Sequence, residues 1–466
     1  FLYEVGKEDE KTNYWFEIIA SLGKDCPVLV VLNYKEISKS RPSNFSIDTY
    51  RKEFAEKIKD ISERKVDFAV NDGDWENLYQ TIKDKVSTLE HIGRDFLPKK
   101  TVDVRNLLSD LDKPIIGIDD YYEICKNNEI EKEEAEIILT RLHEFGVALW
   151  YQNDDKLRHK VILKPNWVID ALYVVLIEDK IQKNNGKFCS EDVFKLWENY
   201  REEDKVFLLS LMQKGVFSTA YRLRQTENWY IVPALLTEDE PDYSFDEQNQ
   251  IQIYYQYGFL PEGIISRLIV ELNEKIYEKD GKQIVWKKGV LLKSEKSFAE
   301  VIQNTRERRI SIRVASEDER QNRELLGEIR KEIGKIHSQS FKNRLSVNEF
   351  VPCPCDVCKS KRLEFQSLSA EDIRNLTDDQ RKYFETESFA LDDLINRLKN
   401  RKKDTIECHK SSDDVNVPKL LGEIYIEKRF RGEIEDSRGK YDFSNAGQVT
   451  IIEKAMSEIE INKGDD

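Results

Sequence analysis

The tightest constraint on what this chain can fold into is the stretch 96–173, which reads as helix, helix, β-hairpin, helix. Asp119 and Asp120 can cap a short helix running to Cys125, because a carboxylate there accepts orphan backbone N–H groups. A second helix, from Glu131, carries Ala135, Ile138, Leu139 and Leu142 at the spacing of one buried face. Gly146 suits its C-terminal turn, where a left-handed backbone is cheap only without a Cβ. VALWYQ and HKVILK then flank Asn153-Asp154-Asp155-Lys156, a hairpin signal, and Pro165 opens the next helix at Asn166.

Helices followed by a two-stranded wing make a winged helix-turn-helix, used either to read DNA or as a wedge between proteins. The helix that would enter a groove begins Glu131-Lys132-Glu133-Glu134-Ala135-Glu136, and a phosphate backbone repels that acidic turn. Over all 466 residues, 74 Lys and Arg face 89 Asp and Glu, a net charge of −15 that disfavours sequence-blind binding to nucleic acid or anionic membrane. The length suits about three domains, and a 39% hydrophobic fraction is globular. The longest apolar runs, such as 171–177, fall far short of the roughly 20 residues that cross a bilayer. Seven cysteines, an odd number with no secretory leader, suit a reducing cytoplasm. The chain opens at Phe1 inside a strand pattern and reads as a piece of something longer.

Upstream, the pattern gives a strand over 1–5, a helix over 13–22 and the strand 27–32. The run PVLVVLN is apolar at nearly every position, as a parallel strand buried on both faces should be. A helix over 49–64, a strand over 66–70, the turn Asn71-Asp72-Gly73 and a helix over 75–89 complete half of a doubly wound α/β domain. Ligands of such sheets sit at the carboxyl ends of the strands, here Asn33, Tyr34, Lys35 and Glu36.

Asn33-Tyr34-Lys35-Glu36 after a buried strand resembles a degenerate Asn-Lys-x-Asp guanine-recognition motif of Ras-like GTPases. With LPKK…VR, LHEFGV and ILKPNWVIDALY behind it, the chain to about Ile424 is similar to the Roco family, in which a Ras-like Roc domain is followed by COR. The resemblance implies an α/β and α+β multidomain fold. A partial Ras-like parallel sheet, the carboxyl half of Roc, spans 1–95. A winged-helix COR subdomain spans 96–236, an α+β COR dimerisation subdomain with a Cys-rich zinc site spans 237–425, and a charged tail or linker spans 426–466. It implies GTP or GDP as ligand, with Asn33, Lys35, Glu36, Val70 and Asn71 at the guanine base, and a homodimer through the second COR subdomain coupled to its own Roc domain across 89–105. No nucleic acid and no membrane enter this picture. Tyr34 and Glu36 replace the family's Lys and Asp, so Asn33 reads equally as a cap of the βα loop.

No G-x-x-x-x-G-K-[ST] occurs; the glycines at 327 and 334, with Lys335, have the wrong spacing. Without that nest of N–H groups the β- and γ-phosphates and Mg²⁺ lack a cradle, so GTP hydrolysis needs a phosphate-binding half upstream. The alternative is a nucleotide-independent dimeric scaffold.

Beyond 173 the pattern gives helices over 188–200 and 204–215, strands near 217–223 and 229–233, and a polar linker over 237–249. A second subdomain follows, with strands over 250–257, 284–293 and 310–315 and helices over 261–272 and 319–337. The basic run 306–313 suits a solvated strand edge or a phosphate site. Cys353, Cys355 and Cys358 lie within six residues, and Cys408 arrives beside His409. Three clustered thiols plus a remote fourth ligand, Cys408 or His409, form a structural Zn²⁺ set; free thiols and a redox pair are the other readings. Cys26, Cys125 and Cys189 read as core cysteines.

Overall fold

The computed structural model describes residues 1–424 apart from 5–11, 24–25, 35–44, 69–73, 91, 94–95, 153, 155–156, 214, 216, 225, 246–249, 367, 369–371, 373–374 and 400–403. It is a mixed α/β structure in two compact units. One comprises 1–174 with 202–211 and 343–345; the other comprises 175–201, 212–342 and the chain from 346.

In the first unit, strands Leu2–Glu4, Val28–Asn33 and Ile61–Val66 form a parallel sheet with Val28–Asn33 in the middle. Val28, Val30 and Leu32 are buried while Leu29, Val31 and Asn33 are half-buried, so one face is more deeply covered than the other. The expected helix over 49–64 is cut short: Ile47–Glu53 is helical, the chain turns at Phe54, and Ile61–Val66 is already strand. The polar run ISERKV hides a strand because only its ends are buried. Phe54, Ile58 and Ile61 anchor that turn in the core against Phe16, and Arg51 Nε donates to the Ile61 carbonyl at 2.8 Å. The sheet strand therefore ends at Val66 and not at 70.

Three helices, Lys99–Ser109, Ile118–Asn127 and Lys132–Glu144, enclose one apolar core with Val104, Tyr121, Leu139 and Leu142 inside. Ala135, Ile138, Leu139 and Leu142 are all buried, as their spacing requires. Gly117 and not an aspartate stands at the start of Ile118–Asn127; Asp120, inside the first turn, accepts the Gly117 N–H at 3.1 Å. Gly146 takes φ +66°, the left-handed value expected of it.

The hairpin is reduced. Lys160–Ile162 pairs antiparallel with Ile115–Gly117, and Leu149 joins Ile162 through a single bridge. The rest of VALWYQ is diverted: the N–H groups of Val147 and Ala148 donate to the Leu142 carbonyl, and that of Trp150 donates to His143 Nδ1. A helix-terminal turn thus takes the donors that a second wing strand would need.

In the second unit, seven antiparallel strands stand in the order Val285–Trp286, Gly289–Ser294, Ser297–Asn304, Arg309–Ala315, Gln250–Tyr257, Val347–Pro352, Ser388–Ala390. Gln250–Tyr257 alternates buried and half-buried residues along its whole length. Helices Ile264–Glu271 and Glu319–Phe341 carry Leu268, Ile269, Leu326, Ile329 and Ile333 in the buried core. The tight turn at 286–289 requires glycine, because a Cβ on Gly289 would meet the Trp286 indole at 2.2 Å.

The basic run is not at a sheet edge. Arg309–Ala315 is an interior strand, and Arg313 makes a two-pronged ion pair with the buried Glu300 at 2.6 and 2.7 Å. Tyr243 of the supposed linker donates to that same carboxylate at 2.7 Å and, with Phe245, packs on Trp286 and Ile284. The polar stretch is therefore part of the fold.

Candidate metal centre

The second unit ends in a small layer that three connections hold together. Strand Val347–Pro352 leads to Cys353, whose N–H donates to the Glu387 carbonyl at 2.9 Å. Cys355 immediately precedes the helix Asp356–Gln366 and Cys358 lies in its first turn, so two thiols from the knuckle face the same point. The hairpin of Thr405–Glu407 with Asp414–Asn416 presents Cys408 at its turn, where its carbonyl accepts from Ser412 at 2.7 Å.

These four sulfurs lie within 4.8 Å of one another. Cys408 Sγ stands 3.7 Å from both Cys355 Sγ and Cys358 Sγ, and all four thiols are unbridged. A tetrahedron of thiolates about 2.3 Å from a zinc ion has edges of about 3.8 Å. His409, the other candidate for the fourth ligand, is exposed and outside the cluster.

The surroundings suit negative sulfur. The N–H groups of Cys358 and Glu387 point at Cys355 Sγ (3.4 Å) and Cys358 Sγ (3.5 Å), and Ser411 Oγ donates to Cys355 Sγ at 3.4 Å. Arg362 donates through Nη2 to the Cys353 carbonyl at 2.8 Å, while its Nη1 is buried with no hydrogen-bond partner among the described residues. Burial pushes the Cys353 thiol well above its ordinary range and the Cys358 thiol up to about 11. At Cys408 burial also pushes upward, but hydrogen bonds from Ser411 and from the Lys410 backbone outweigh it and bring the thiol to about 7. As bare thiols Cys353 and Cys358 are costly to ionise and a buried guanidinium is left partly unsatisfied; a metal tetrathiolate would offset both costs.

The remaining cysteines divide. Cys125 is buried, as expected; Cys189 is half-buried, with its sulfur 3.1 Å from Asp192; Cys26 is exposed, contrary to its apolar sequence neighbours.

At the parallel sheet, Asn33 ends the central strand in register with Glu4 and Val66. Tyr34, in the position of the motif's lysine, packs onto the sheet core, with Lys65 Nζ 5.8 Å from its ring. Lys35, Glu36, Val70 and Asn71 lie outside the described residues. The early end of the third strand instead places buried Asp67 at that carboxyl edge, a position the sequence pattern did not mark. No phosphate-loop motif occurs in the sequence, so no residue of this chain is assigned to a triphosphate or Mg²⁺. Among the described residues, no helix is long and apolar enough to cross a membrane.

Two family models match: "C-terminal of Roc, COR-A domain" over 98–236 and "C-terminal of Roc, COR-B domain" over 248–423. A "Roc-COR-CHAT protease" of Runella zeae is 30% identical over 245 residues, which is 50% of this chain and 24% of that protein. The Dictyostelium discoideum protein named "Probable serine/threonine-protein kinase pats1" is 21% identical over 389 residues, 76% of this chain and 12% of its own length. The matches thus span a quarter or less of these relatives. A solved structure of Methanosarcina barkeri Roco2 RocCORdC bound to GDP aligns at 24% identity and a TM-score of 0.37, covering 50% of this chain and 71% of that one.

Proposed function

Because this chain belongs to the Roco family of Roc-COR proteins, we propose that it is the carboxyl half of a Roc domain and the COR portion of a cytoplasmic Roco-type GTP-binding protein. COR mediates homodimerisation through the second subdomain, and contacts across 89–105 couple it to the nucleotide state of Roc. The observation that carries this reading is order: a parallel β-α-β-α-β-α half-sheet stands directly before consecutive COR-A and COR-B segments. The three-helix layer with its reduced wing serves as a winged-helix wedge between proteins; Glu133 and Glu134 in the first turn of Lys132–Glu144 disfavour nucleic acid.

Coupling of this kind needs each nucleotide state to favour a different COR arrangement by differential contacts. No hydrolytic step is assigned to residues of this chain. Light scattering on the purified protein tests dimerisation: a concentration-dependent dimer is expected, and a monomer at every concentration overturns it. Tyr34 packed on the core favours a second reading, a nucleotide-independent scaffold. Calorimetric titration of GDP into the chain joined to a phosphate-binding half separates the two, since tight guanine-selective binding removes the scaffold.

The Cys353, Cys355, Cys358 and Cys408 thiolates hold a structural Zn²⁺. Four protein ligands leave no open position, so the ion pins the terminal layer and supplies no reaction chemistry. Metal analysis that finds no zinc retires this assignment.

A further inference from the structure

A cavity of about 340 Å³ lies beside the cysteine layer, within the second unit. Its floor is a gap in the sheet. Gln250–Tyr257 and Val347–Pro352 pair only as far as Tyr254 and Phe350, although both strands run on. Pro352 has no N–H to give back, so the ladder stops there. Gln250 lines this gap with its side-chain oxygen buried and without a hydrogen-bond partner among the described residues.

The walls come from three helices, and each brings a cation. Arg323 comes from Glu319–Phe341, Lys359 and Arg362 from Asp356–Gln366, and Lys419 from Val417–Ile424. Two acids oppose them: Glu319, 3.5 Å from Arg323, and Glu423. Burial raises the Glu423 carboxyl above its ordinary value, while Lys419, Arg323 and Lys359 pull it down. Arg323 is loosely held, its second contact being the Gly422 carbonyl at 3.4 Å, and Lys359 and Lys419 interact with the Glu423 carboxylate electrostatically. Four cations against two carboxylates leave this concave site with an excess of positive charge, which a bound anion would balance. The volume is at the low end for small-molecule pockets.

We propose that this cavity binds a small soluble polyphosphate, free or as a phosphate ester, between Arg323, Lys359, Arg362 and Lys419. The flexible lysines meet the outer oxygens as point charges and the Arg323 guanidinium offers a planar pair of donors, while Arg362, held by the Cys353 carbonyl, adds charge behind them. The site is independent of the guanine-binding edge of the parallel sheet, and it does not depend on the identity of the metal.

Calorimetric titration of inorganic pyrophosphate into the zinc-loaded full chain tests it. Saturable binding is expected, weakened at least tenfold in the double variant K359E/K419E. Both lysines are exposed, so an unchanged thermal midpoint and zinc content show that the variant is folded. ADP is the second ligand: affinity equal to pyrophosphate means the diphosphate group itself is read, and preference for pyrophosphate means a free polyphosphate; both support the site. Absence of saturable heat, or equal affinity in K359E/K419E, overturns it.

Discussion

The parallel sheet and the seven-stranded antiparallel sheet treat apolar surface in opposite ways. Among the described residues before 96, eight large apolar side chains are exposed; in 250–424 only Val357 and Tyr383 are. Four of the eight, Trp75, Tyr79, Ile82 and Val86, recur at helical spacing on Asp74–Ser87 as an exposed stripe, with Phe68 beside Trp75 and Lys83 over the Tyr79 ring. The antiparallel sheet instead buries its strands with two helices on its own account. A parallel sheet needs cover on both faces, so three strands and their helices make only part of a core. The antiparallel sheet carries helices of its own, and its last layer buries Leu394, Ile395, Leu420 and Leu421 beside the four-cysteine cluster.

That contrast can be broken at several points. The largest effect belongs to the cysteine layer. Cys408→Ser should cost on the order of 5 kcal/mol of local stability, seen as lost hydrogen-exchange protection in Thr405–Glu407 and Val417–Ile424. Unchanged protection would mean that the layer stands on its packing alone.

Next comes the sheet interior. Ile312 is fully buried on a central strand, so Ile312→Ala should cost about 2–5 kcal/mol in urea unfolding. A third effect is set by pH. His337 is buried against the Tyr257 hydroxyl at 2.9 Å, and burial lowers it to about 4 from an ordinary 6.5. The unfolded chain takes up this proton first, so stability should fall as pH drops from about 6.5 to about 4 and level off below, by at most ~3 kcal/mol. Urea midpoints across that range measure the slope, which His337→Gln should flatten.

The smallest effect sharpens the comparison. Trp75 is 61% exposed, and Trp75→Ser should shift stability by less than ~0.5 kcal/mol in this chain. A loss rivalling that of Ile312→Ala would show that the stripe is covered in solution.

Helices with a clean apolar period were legible from sequence, as Ala135, Ile138, Leu139 and Leu142 illustrate, and so was the alternating strand Gln250–Tyr257. What misled was pairing. Ile61–Val66 has a polar middle and passed for the end of a helix; VALWYQ alternates correctly, yet the N–H groups of Val147, Ala148 and Trp150 are claimed by Leu142 and His143. Arg313 looked like surface because charge is legible and its partner Glu300, on the neighbouring strand, is not. The cysteine set was legible as composition, whereas the choice between Cys408 and His409 depended on the direction of a hairpin turn. The cavity beside it left no signal, because its cations are scattered over three helices that only the fold brings together.

The position of Gln250–Tyr257 has a consequence for how this unit comes into being. It is the earliest of the seven strands in the chain, yet it lies between two that are made later; Gln256 waits 53 residues for Arg309. On the ribosome it emerges with both edges unpaired and Ile251, Ile253, Tyr255 and Tyr257 uncovered. Non-local pairing of this kind folds slowly, and open apolar edges invite the wrong neighbour. Yield of soluble protein should therefore respond to translation speed and chaperone supply over the interval between synthesis of the first strand and arrival of its partners.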